Sequence, residues 1–510
     1  MLIESLIAVT LLAALAVFLT PNRFAERVAF AASLLPLVGS LYLWSQFDAE
    51  GNALLADSAV AFENRITWIS IEPYEIAWHV GLDGVSMPLI VLSTFLTTLA
   101  IVSAWTPIVE RQSQFYGLML FMEAALIGVF AQLDFLVWFV FWEAVLIPMY
   151  LLIGVWGGPR RKYAAIKFLI YTNVASLVMF LGYVALVFGL GDAVTSFGLP
   201  ETAQAVHAGE LEGLGAIGPE TLLTVAFLAT FFGFAVKVPV VPFHTWLPDA
   251  HVEAPTPVSI MLAGVMLKMG TYALLRFNFT ILYDVAIALA VPIAAIGVIS
   301  VIYGAMLALA QQDLKRIVAY SSISSMGYVI LGLVAFTTFG IGGATFQMVA
   351  HGLISGLMFM AVGVIYNETH TRMVSDMSGL AERMPYAVGI LIAGAFGYMG
   401  LPLMAGFAAE FMIFYGAFSS TVLPSAPWFT AIAMFGIVIV AGYLLFAMQR
   451  TLFGEFRLET DYEIGRAPLH DVLPLFVLLL SIIALGVDPD IFFTMIQDAV
   501  DPIVELGGDA

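Results

Sequence analysis

Apolar runs of roughly 18 residues or more recur along this chain, and each is long enough to cross a bilayer as a helix. Hydrophobic residues make up 61% of the chain and charged residues 11%, whereas roughly a quarter of the residues in soluble domains are charged. The short alternating segments of a membrane barrel do not occur in the sequence. The sequence therefore predicts an all-α polytopic membrane protein.

We predict about fourteen transmembrane helices from these runs. They lie near 2–20, 28–46, 85–108, 115–132, 134–156, 164–190, 219–247, 256–276, 284–309, 317–337, 342–366, 386–420, 428–450 and 471–487. The first run lacks the basic start of a signal peptide, so we interpret it as a span. The seventh and twelfth runs are too long for one straight crossing, and both contain Gly and Pro, which predicts broken helices.

The two broken helices lie five spans apart, which suggests an internal duplication. Five-helix units that enter a membrane from opposite sides form inverted repeats, a common transporter architecture. We therefore expect two inverted five-helix repeats, at 111–278 and 279–452. A three-helix segment, 1–110, precedes them, and a loop, the last span and an acidic tail follow at 453–510. The sequence identity between the two units is too low to establish the duplication.

The basic residues predict the orientation. They cluster in the loops that follow odd-numbered spans, whereas the other loops hold only Arg65 and, at a helix edge, Arg276. Because Lys and Arg favour the cytoplasmic side, we expect both termini outside the cell. The expected location is the plasma membrane of a prokaryote.

The net charge of −19 is concentrated in loops and in the tail. Residues 48–83 hold seven acids against one arginine, and 192–220 contains neither Lys nor Arg. Two readings remain open: ordinary solvated loops, or the acidic surface of a protein from a high-salt organism, a halophile.

Lys237 lies in a strongly apolar stretch. An ionised group at the centre of a bilayer costs about 2.5–3.5 kcal/mol on insertion scales. Pro239 and Pro242 follow it and lack the backbone N–H that a helix needs, so the helix should break beside the charge. Transport proteins build ion sites in this way, which makes Lys237 a candidate functional residue.

Four more titratable residues fall inside other spans, and together with Lys237 they form a series typical of a proton relay. The four are Glu143, Lys268, His351 and Glu410, and Ser324 and Ser325 provide hydroxyls that water could bridge. A pair of Glu143 and Lys237 that opens and closes is one interpretation. A static buried ion pair is the other.

Further candidates lie toward the predicted cytoplasmic side. Lys167 is near a helix end and can extend its ammonium to the membrane surface, while Lys315 falls in a predicted loop. His244 and His251 stand with Asp249 and Glu253 among prolines. We interpret this group as loop capping or a proton entrance rather than as a metal site.

Other chemistry is excluded by composition and motifs. The chain contains no cysteine, so it has no thiolate zinc site and no cysteine-bound iron–sulfur cluster. It also contains no glycine-rich phosphate loop. We expect no cofactor and no metal in this chain, and no nucleic-acid partner.

Four motifs resemble those of a known family. They are FAVKVPVVPFHTWLPDAHVEAPTPVS (234–259), FWEAVLIPMYLLIGVWGG (141–158), LKRIVAYSSISSMGY (314–328) and AHGLISGLMF (350–359). They are similar to motifs of the antiporter-like subunits of respiratory complex I, which Mrp-type sodium/proton antiporters and membrane-bound hydrogenases share. Glu410 favours the chain M branch, the counterpart of mitochondrial subunit 4, since the sister subunits generally carry lysine there.

The resemblance implies a proton-translocating subunit of an oxidoreductase that transfers electrons from NADH, or a related donor, to a quinone. Partner subunits would carry the flavin or iron–sulfur clusters and bind the quinone, and sister antiporter-like subunits and lipid would surround this chain. A subunit of an Mrp-type cation/proton antiporter or of a membrane-bound hydrogenase is the alternative. A passive membrane scaffold is a third hypothesis.

The resemblance also implies roles for the relay residues. Glu143 would pair with Lys237, Lys268 would connect to the second half-channel beside the central His351, and Glu410 would end the relay toward the outside. One position departs from the family pattern, because Ser325 stands where many relatives have histidine. A serine cannot carry a full charge, so we expect the relay to depend more on water between Lys268 and His351.

The acidic loops predict a measurable response to salt. If the chain is adapted to high salt, screening of the like charges should raise its melting temperature between physiological and molar salt. Thermal melting of the detergent-purified protein at the two salt concentrations measures this. Greater stability at low salt contradicts the adaptation.

Overall fold

The computed structural model describes residues 1–55, 58–462, 464–465 and 467–508. Within these ranges, 13 helices are long and apolar enough to cross a membrane. In chain order they are Leu2–Leu19, Asn22–Ser45, Ser86–Ser103, Gln112–Ala131, Phe135–Trp156, Arg161–Gly189, Pro219–Lys237, Thr256–Ile281, Ala290–Leu309, Leu314–Val334, Thr338–Thr369, Ala426–Leu452 and Leu469–Val487. Two shorter apolar helices, Pro385–Tyr398 and Ala405–Phe418, follow one another in the chain, and we count them together as one divided span. We number these spans 1 to 14, the divided one being span 12.

Both predicted helix breaks are present. Span 7 stops at Lys237 and resumes as the short helix Trp246–Glu253. Span 12 stops at Tyr398 and resumes at Ala405. Prolines in both gaps remove helix hydrogen-bond donors, which accounts for the interruptions.

Spans 5 and 8 depart from regular α-helix in ways that the sequence analysis did not predict. Span 5 divides after Ala144, close to Pro148, which cannot donate to the carbonyl of Ala144. Span 8 contains two π-helical stretches, Leu262–Met266 and Leu274–Ile281. Such stretches free backbone carbonyls and often occur at functional sites.

The predicted acidic loop at 47–84 was wrong in part, because it contains a β-hairpin. Strand β1, Ala61–Ile71, pairs antiparallel with strand β2, Tyr74–Leu82. The segment is rich in the β-branched and aromatic residues that favour strands. The charge count concealed this pattern.

The acidic tail forms a helix, Asp490–Gly508, and was not predicted to do so. Its apolar side, which includes Phe492, Ile496 and Val500, is buried against the protein. The Asn52 amide donates to the Ala499 carbonyl at 2.9 Å, and the Asn64 amide of strand β1 donates to the Glu4 carboxylate at the other chain end. Both chain ends therefore lie on the hairpin side, which we call the acidic side; the opposite end of the helices is the basic side.

Short elements complete the described fold. They are the helices Leu199–His207, Tyr283–Ala288 and Leu380–Arg383, the 3₁₀ turns Gly191–Ala193, Phe243–Thr245 and Val374–Asp376, and the paired two-residue strands Met377–Ser378 and Arg457–Leu458.

Spans 8, 10 and 11 form the centre of the helix bundle. In their most apolar stretches 100%, 94% and 100% of the residues are buried, against 28% in span 2 at the periphery. Spans 9 and 10 approach closely at small residues, since a Cβ atom at Gly327 would lie 2.5 Å from the Gly297 carbonyl oxygen. The central spans thus hold Lys268 and His351 away from lipid.

A buried ion pair joins span 8 to the acidic side. Arg276 is fully buried, and its guanidinium donates to both carboxylate oxygens of Asp83 at 2.6 and 2.5 Å. It also donates to Ser86 at 3.0 Å and Asn52 at 3.3 Å. Burial alone would raise the pKa of Asp83, but the charge and hydrogen bonds of Arg276 outweigh it and lower that pKa. The pair therefore stabilises the fold at neutral pH.

Removing one member of this pair should destabilise the protein strongly. Asp83→Asn should cost about 3–5 kcal/mol, because it leaves a buried guanidinium without its counter-charge. In the parent, this stabilisation should be complete above the unfolded-chain pKa of aspartate, about 3.9, and be lost as the pH falls through the lower folded-state pKa. Melting of the purified protein measures both effects.

A partly exposed pair provides the control. Glu75→Gln breaks the ion pair with Arg65. The side chain of Glu75 is 34% exposed and that of Arg65 38%, so the change should cost less than about 1 kcal/mol. Equal losses in the two variants would contradict the assigned role of Arg276.

Candidate functional site

Lys237 ends the first limb of span 7 and is 1% exposed. Its ammonium has no hydrogen-bond partner among the described residues and lies 4.8 Å from the ring centroid of Trp142. The charge that acts on it is the Glu143 carboxylate, although no salt bridge joins the two. A desolvated cation over an indole gains about 2 kcal/mol. The predicted pair is therefore open in this structure, with the Trp142 ring holding the ammonium.

Glu143 is half-buried and lies just before the division in span 5. The Asn173 amide of span 6 donates to one carboxylate oxygen at 3.3 Å. The other oxygen has no partner within the described part of the chain. Trp142 is fixed separately, because its indole N–H donates to Ser176 at 2.9 Å. The carboxylate can thus move while the indole beside it stays in place.

Lys268 and His351 form a direct contact between the central spans 8 and 11. The Lys268 Nζ atom lies 2.6 Å from His351 Nδ1 and 2.5 Å from the Ala263 carbonyl oxygen in the first π-helical stretch. An ammonium that donates to Nδ1 requires a neutral imidazole with its proton on Nε2. Water between Lys268 and His351 was therefore a wrong prediction, since the two side chains touch.

Span 8 also connects this contact to Lys237. A Cβ atom at Gly270 would lie 3.0 Å from the Val238 nitrogen and 3.2 Å from Lys237 Cβ. The absence of a side chain at Gly270 thus allows span 8 to pack directly on the break in span 7. Lys268 lies two residues before Gly270 in span 8. Lys237 and Lys268 therefore lie on two helices that pack directly against each other.

Glu410 lies in the second limb of span 12 and is 5% exposed. Its Oε2 atom has no hydrogen-bond partner in the ranges that the structure describes. Gly400, in the break, has φ +63°, and a Cβ atom there would lie 2.5 Å from this oxygen. The break therefore leaves room for the carboxylate.

The predicted bridging serines occupy span 10. Ser324 is buried and donates to the Val301 carbonyl of span 9 at 2.9 Å. Ser325 is also buried, at 4% exposure. Neither hydroxyl forms a direct hydrogen bond to Lys268, His351 or Glu410.

Asp249 on the basic side is surrounded by cations. Its carboxylate contacts Lys167 at 2.8 Å, Arg316 at 3.1 Å and Arg160 at 3.5 Å. Lys167 also donates to the Thr245 carbonyl at 2.8 Å, so its ammonium is held by the second limb of span 7. These contacts fix the short helix to spans 6 and 10.

The two histidines of the signature motif lie in different surroundings. His251 is fully buried, stacks on Phe359 at 4.4 Å, and has no partner for either ring nitrogen among the residues described. His244 packs edge-on against Tyr303 at 5.7 Å. The described residues contain no cluster of three or more His, Asp or Glu side chains that could hold a metal ion.

Lys315 was wrongly placed in a loop, since it is the second residue of span 10 and is 4% exposed. Its ammonium donates to the Ala254 carbonyl. A cavity of about 240 Å³ at the basic side borders Lys315, Glu253 and Arg372. His251 is the residue next to Val252, which lines this cavity, and the charges of both Lys315 and Lys268 act on it.

Glu123 in span 4 was missed by sequence reasoning. It is fully buried, and neither carboxylate oxygen has a hydrogen-bond partner in the described structure. An acid within the apolar run LMLFMEAALIGVF is the same signal that identified Glu143, so the sequence could have revealed it. Three buried tyrosines near Glu410 were missed as well, because aromatic residues are common in any membrane helix.

Comparisons with known proteins place this geometry in a family. The family model described as NADH:quinone oxidoreductase/Mrp antiporter, TM, matches residues 131–440, more than half of the chain. F(420)H(2) dehydrogenase subunit M of Methanosarcina mazei is 38% identical over 505 residues, which cover 98% of this chain and 97% of the relative. NAD(P)H-quinone oxidoreductase chain 4 of Nostoc sp. is 38% identical over 515 residues, covering 98% and 90%.

Solved structures show the same fold. A chain of respiratory complex I from Thermus thermophilus matches with a TM-score of 0.85 and 25% identity, covering 99% of both chains. A chain of the Mrp complex from a Dietzia species matches with a TM-score of 0.82 and 19% identity, covering 98% and 97%. The overall fold of this chain is therefore that of a known class of membrane subunit.

The chain belongs to the NADH:quinone oxidoreductase/Mrp antiporter family. Within it, relatives named subunit M and chain 4 match nearly the whole length, which confirms the branch that Glu410 indicated. The solved matches are multisubunit membrane complexes, so this chain is a membrane subunit of such a complex.

The cations around Asp249 should hold the short helix Trp246–Glu253 in place. Because the chain has no cysteine, Leu247→Cys, at a fully buried position, gives a single labelling site. Adding Asp249→Asn removes charge-assisted hydrogen bonds worth about 1.5–3 kcal/mol, so labelling by a water-soluble maleimide should become about tenfold faster or more.

Glu459→Gln in the same Leu247→Cys background serves as control. It breaks the ion pair of Glu459 with Arg457, in which the two side chains are 56% and 62% exposed. The labelling rate should therefore stay unchanged. A labelling rate that Asp249→Asn does not alter would contradict the proposed anchoring.

Proposed function

We propose that this chain is the proton-translocating membrane subunit of an NADH-quinone oxidoreductase-type complex. The observation that carries the proposal is the direct Lys268–His351 contact at the centre of the bundle, with Lys237 and Glu410 each at a helix break on either side. Glu143 controls whether Lys237, at the first of these breaks, holds its proton. Quinone reduction elsewhere in the complex drives the movement.

The electron-transfer chemistry belongs to partner subunits. Without cysteine, this chain supplies no ligands for a cysteine-bound cluster. Flavin, iron–sulfur clusters and quinone would therefore be held by other subunits, with NADH or a related carrier as electron donor. The chain contributes binding sites for protons and the route between them.

The Glu143–Lys237 pair acts as the input of the relay. An opposite charge at 4 Å stabilises an ammonium by about 4 kcal/mol at an effective dielectric constant of about 20. When Glu143 approaches, Lys237 holds its proton; when Glu143 withdraws toward Asn173, only the Trp142 ring remains to stabilise the cation. Lys237 then releases its proton toward span 8.

The Lys268–His351 contact passes the proton between the two halves. Lys268 gives a proton to His351 Nδ1 while the imidazole releases the proton on Nε2, so the ring gains and loses one proton. The Nε2 atom has no hydrogen-bond partner among the described residues, so its proton is available to the next group of the relay. Lys268 regains a proton from Lys237 or, through His251, from the cavity on the basic side.

The direction and surroundings of the transport complete the proposal. The basic side faces the cytoplasm and the acidic side, with both termini, faces outward across the plasma membrane of a prokaryote. Spans 4–8 and 9–13 are the inverted repeats, which places the broken spans 7 and 12 in equivalent positions. Sister antiporter-like subunits cover the exposed apolar faces of the bundle.

A subunit of an Mrp-type cation/proton antiporter, or of a membrane-bound hydrogenase, is the second candidate. The Mrp complex of the Dietzia species shares the fold. The two hypotheses differ in the ion carried and in the partners. Polypeptides that co-purify with this chain, and the sodium dependence of transport, separate them.

Neutralising either member of the input pair should stop proton translocation. In membrane vesicles that contain the assembled complex, Glu143→Gln and Lys237→Ala should each lower proton uptake per electron transferred to quinone by about 10²-fold, the lower end of what a positioned acid–base group contributes. The complex should still assemble, because the pair is open and stabilises little.

Glu220→Gln serves as a matched control, because Glu220 is an exposed acid at the other end of the first limb of span 7. It should retain the parent proton yield. Parent proton yield in Glu143→Gln or Lys237→Ala would refute the relay and favour the passive scaffold.

A further inference from the structure

Three tyrosines line the space between His351 and Glu410. Tyr328, Tyr398 and Tyr443 come from spans 10, 12 and 13 and are 1%, 5% and 2% exposed. The hydroxyl of each has no direct hydrogen-bond partner among the described residues. A buried hydroxyl without a partner costs about 1–3 kcal/mol, whereas phenylalanine would fill the same volume without that cost.

Tyr398 begins the series beside the central contact. Its ring packs edge-on against the His351 imidazole at 5.8 Å, with the planes at 69°. Its hydroxyl faces Ser321, Ser322 and Ser355 of spans 10 and 11. Tyr398 is also the last residue before the break in span 12, the break that precedes Glu410.

Tyr443 and Tyr328 continue the series to Glu410. Tyr443 faces Ser321, as Tyr398 does, and interacts electrostatically with both Tyr398 and Glu410. Tyr328 interacts with Tyr443 and Glu410 and faces Ser324. Its hydroxyl fits where span 13 has Gly436, at which a Cβ atom would lie 2.8 Å away. The three tyrosines thus form a series of neighbouring side chains between His351 and Glu410.

We propose that Tyr398, Tyr443 and Tyr328, with the Ser321 hydroxyl between the first two, carry protons from His351 to Glu410. This inference rests on the proposed function and names the route through the second half. Ser325 cannot hold a full charge and forms no direct hydrogen bond to Glu410. The tyrosines provide hydroxyls in the part of the route that leads to Glu410. Ser324 assists at the Tyr328 end of the path.

Each transfer balances without a charged tyrosine. A hydroxyl is both donor and acceptor. It accepts a proton on a lone pair from one side as its own O–H bond breaks toward the other side. One O–H bond forms and one breaks at each oxygen, and the hydroxyls then rotate back. The net result is one proton removed from His351 and one added to the Glu410 carboxylate.

Removal of single hydroxyls tests the path. In vesicles that contain the assembled complex, Tyr398→Phe and Tyr443→Phe should each lower proton uptake per electron transferred to quinone by about tenfold or more, since they remove a transfer group. The melting temperature of the purified complex should not fall, because each variant removes only a hydroxyl without a direct partner. Tyr116→Phe is the matched control. That tyrosine is fully buried, and its hydroxyl also lacks a partner in the described structure, but it lies in span 4.

Glu410→Gln, tested in parallel, separates this inference from the proposed function. Parent yield in both Tyr398→Phe and Tyr443→Phe, with loss in Glu410→Gln, would overturn the tyrosine path and leave the relay intact. Parent yield in Glu410→Gln as well would overturn both. An equal loss in Tyr116→Phe would assign the effect to packing and also overturn the path. Loss in the second-half variants alone supports it.

Discussion

An ionised side chain inside a bilayer is the constraint on which this structure depends. The cost of burying it is several kcal/mol, and beside three of the relay residues the backbone departs from a regular helix. Span 7 ends at Lys237, span 8 adopts a π-helical turn whose Ala263 carbonyl accepts from Lys268, and span 12 breaks before Glu410. Each irregularity provides space or a hydrogen-bond acceptor where a regular helix would provide neither.

The packing of the bundle follows from the same constraint. Spans 8, 10 and 11 are nearly completely buried, so the polar groups that they carry contact each other instead of lipid. Small residues such as Gly270 and Gly327 allow the backbones to approach closely enough for those contacts. On the basic side, Asp249 and its cations hold the second limb of span 7, and on the acidic side Arg276 and Asp83 hold span 8. The helices around the relay are thus fixed on both the basic and the acidic side, whereas the Glu143–Lys237 pair at the input of the relay is open.

Much of the fold could be predicted from the sequence, because hydropathy and prolines are local signals. The spans and both helix breaks required only composition and spacing. The hairpin was missed because acidic residues within it concealed the strand pattern, and the π-helical stretches of span 8 have no clear sequence signature. Among the relay residues, the sequence identified charges in apolar runs but could not show that Lys268 touches His351 or that Glu143 stands apart from Lys237. Those facts depend on how distant spans pack. The tyrosine path was invisible for the same reason.

The measurement that tests the central claim most directly is the proton yield of the complex with Lys268→Met. Methionine approximates the length of the lysine stem without its charge, so the bundle keeps its packing while the contact with His351 is lost. If protons cross between the two halves at this contact, proton uptake per electron transferred to quinone should fall well below the parent value in vesicles that contain assembled complex. An unchanged proton yield, with the complex intact, would contradict the account of a connected relay.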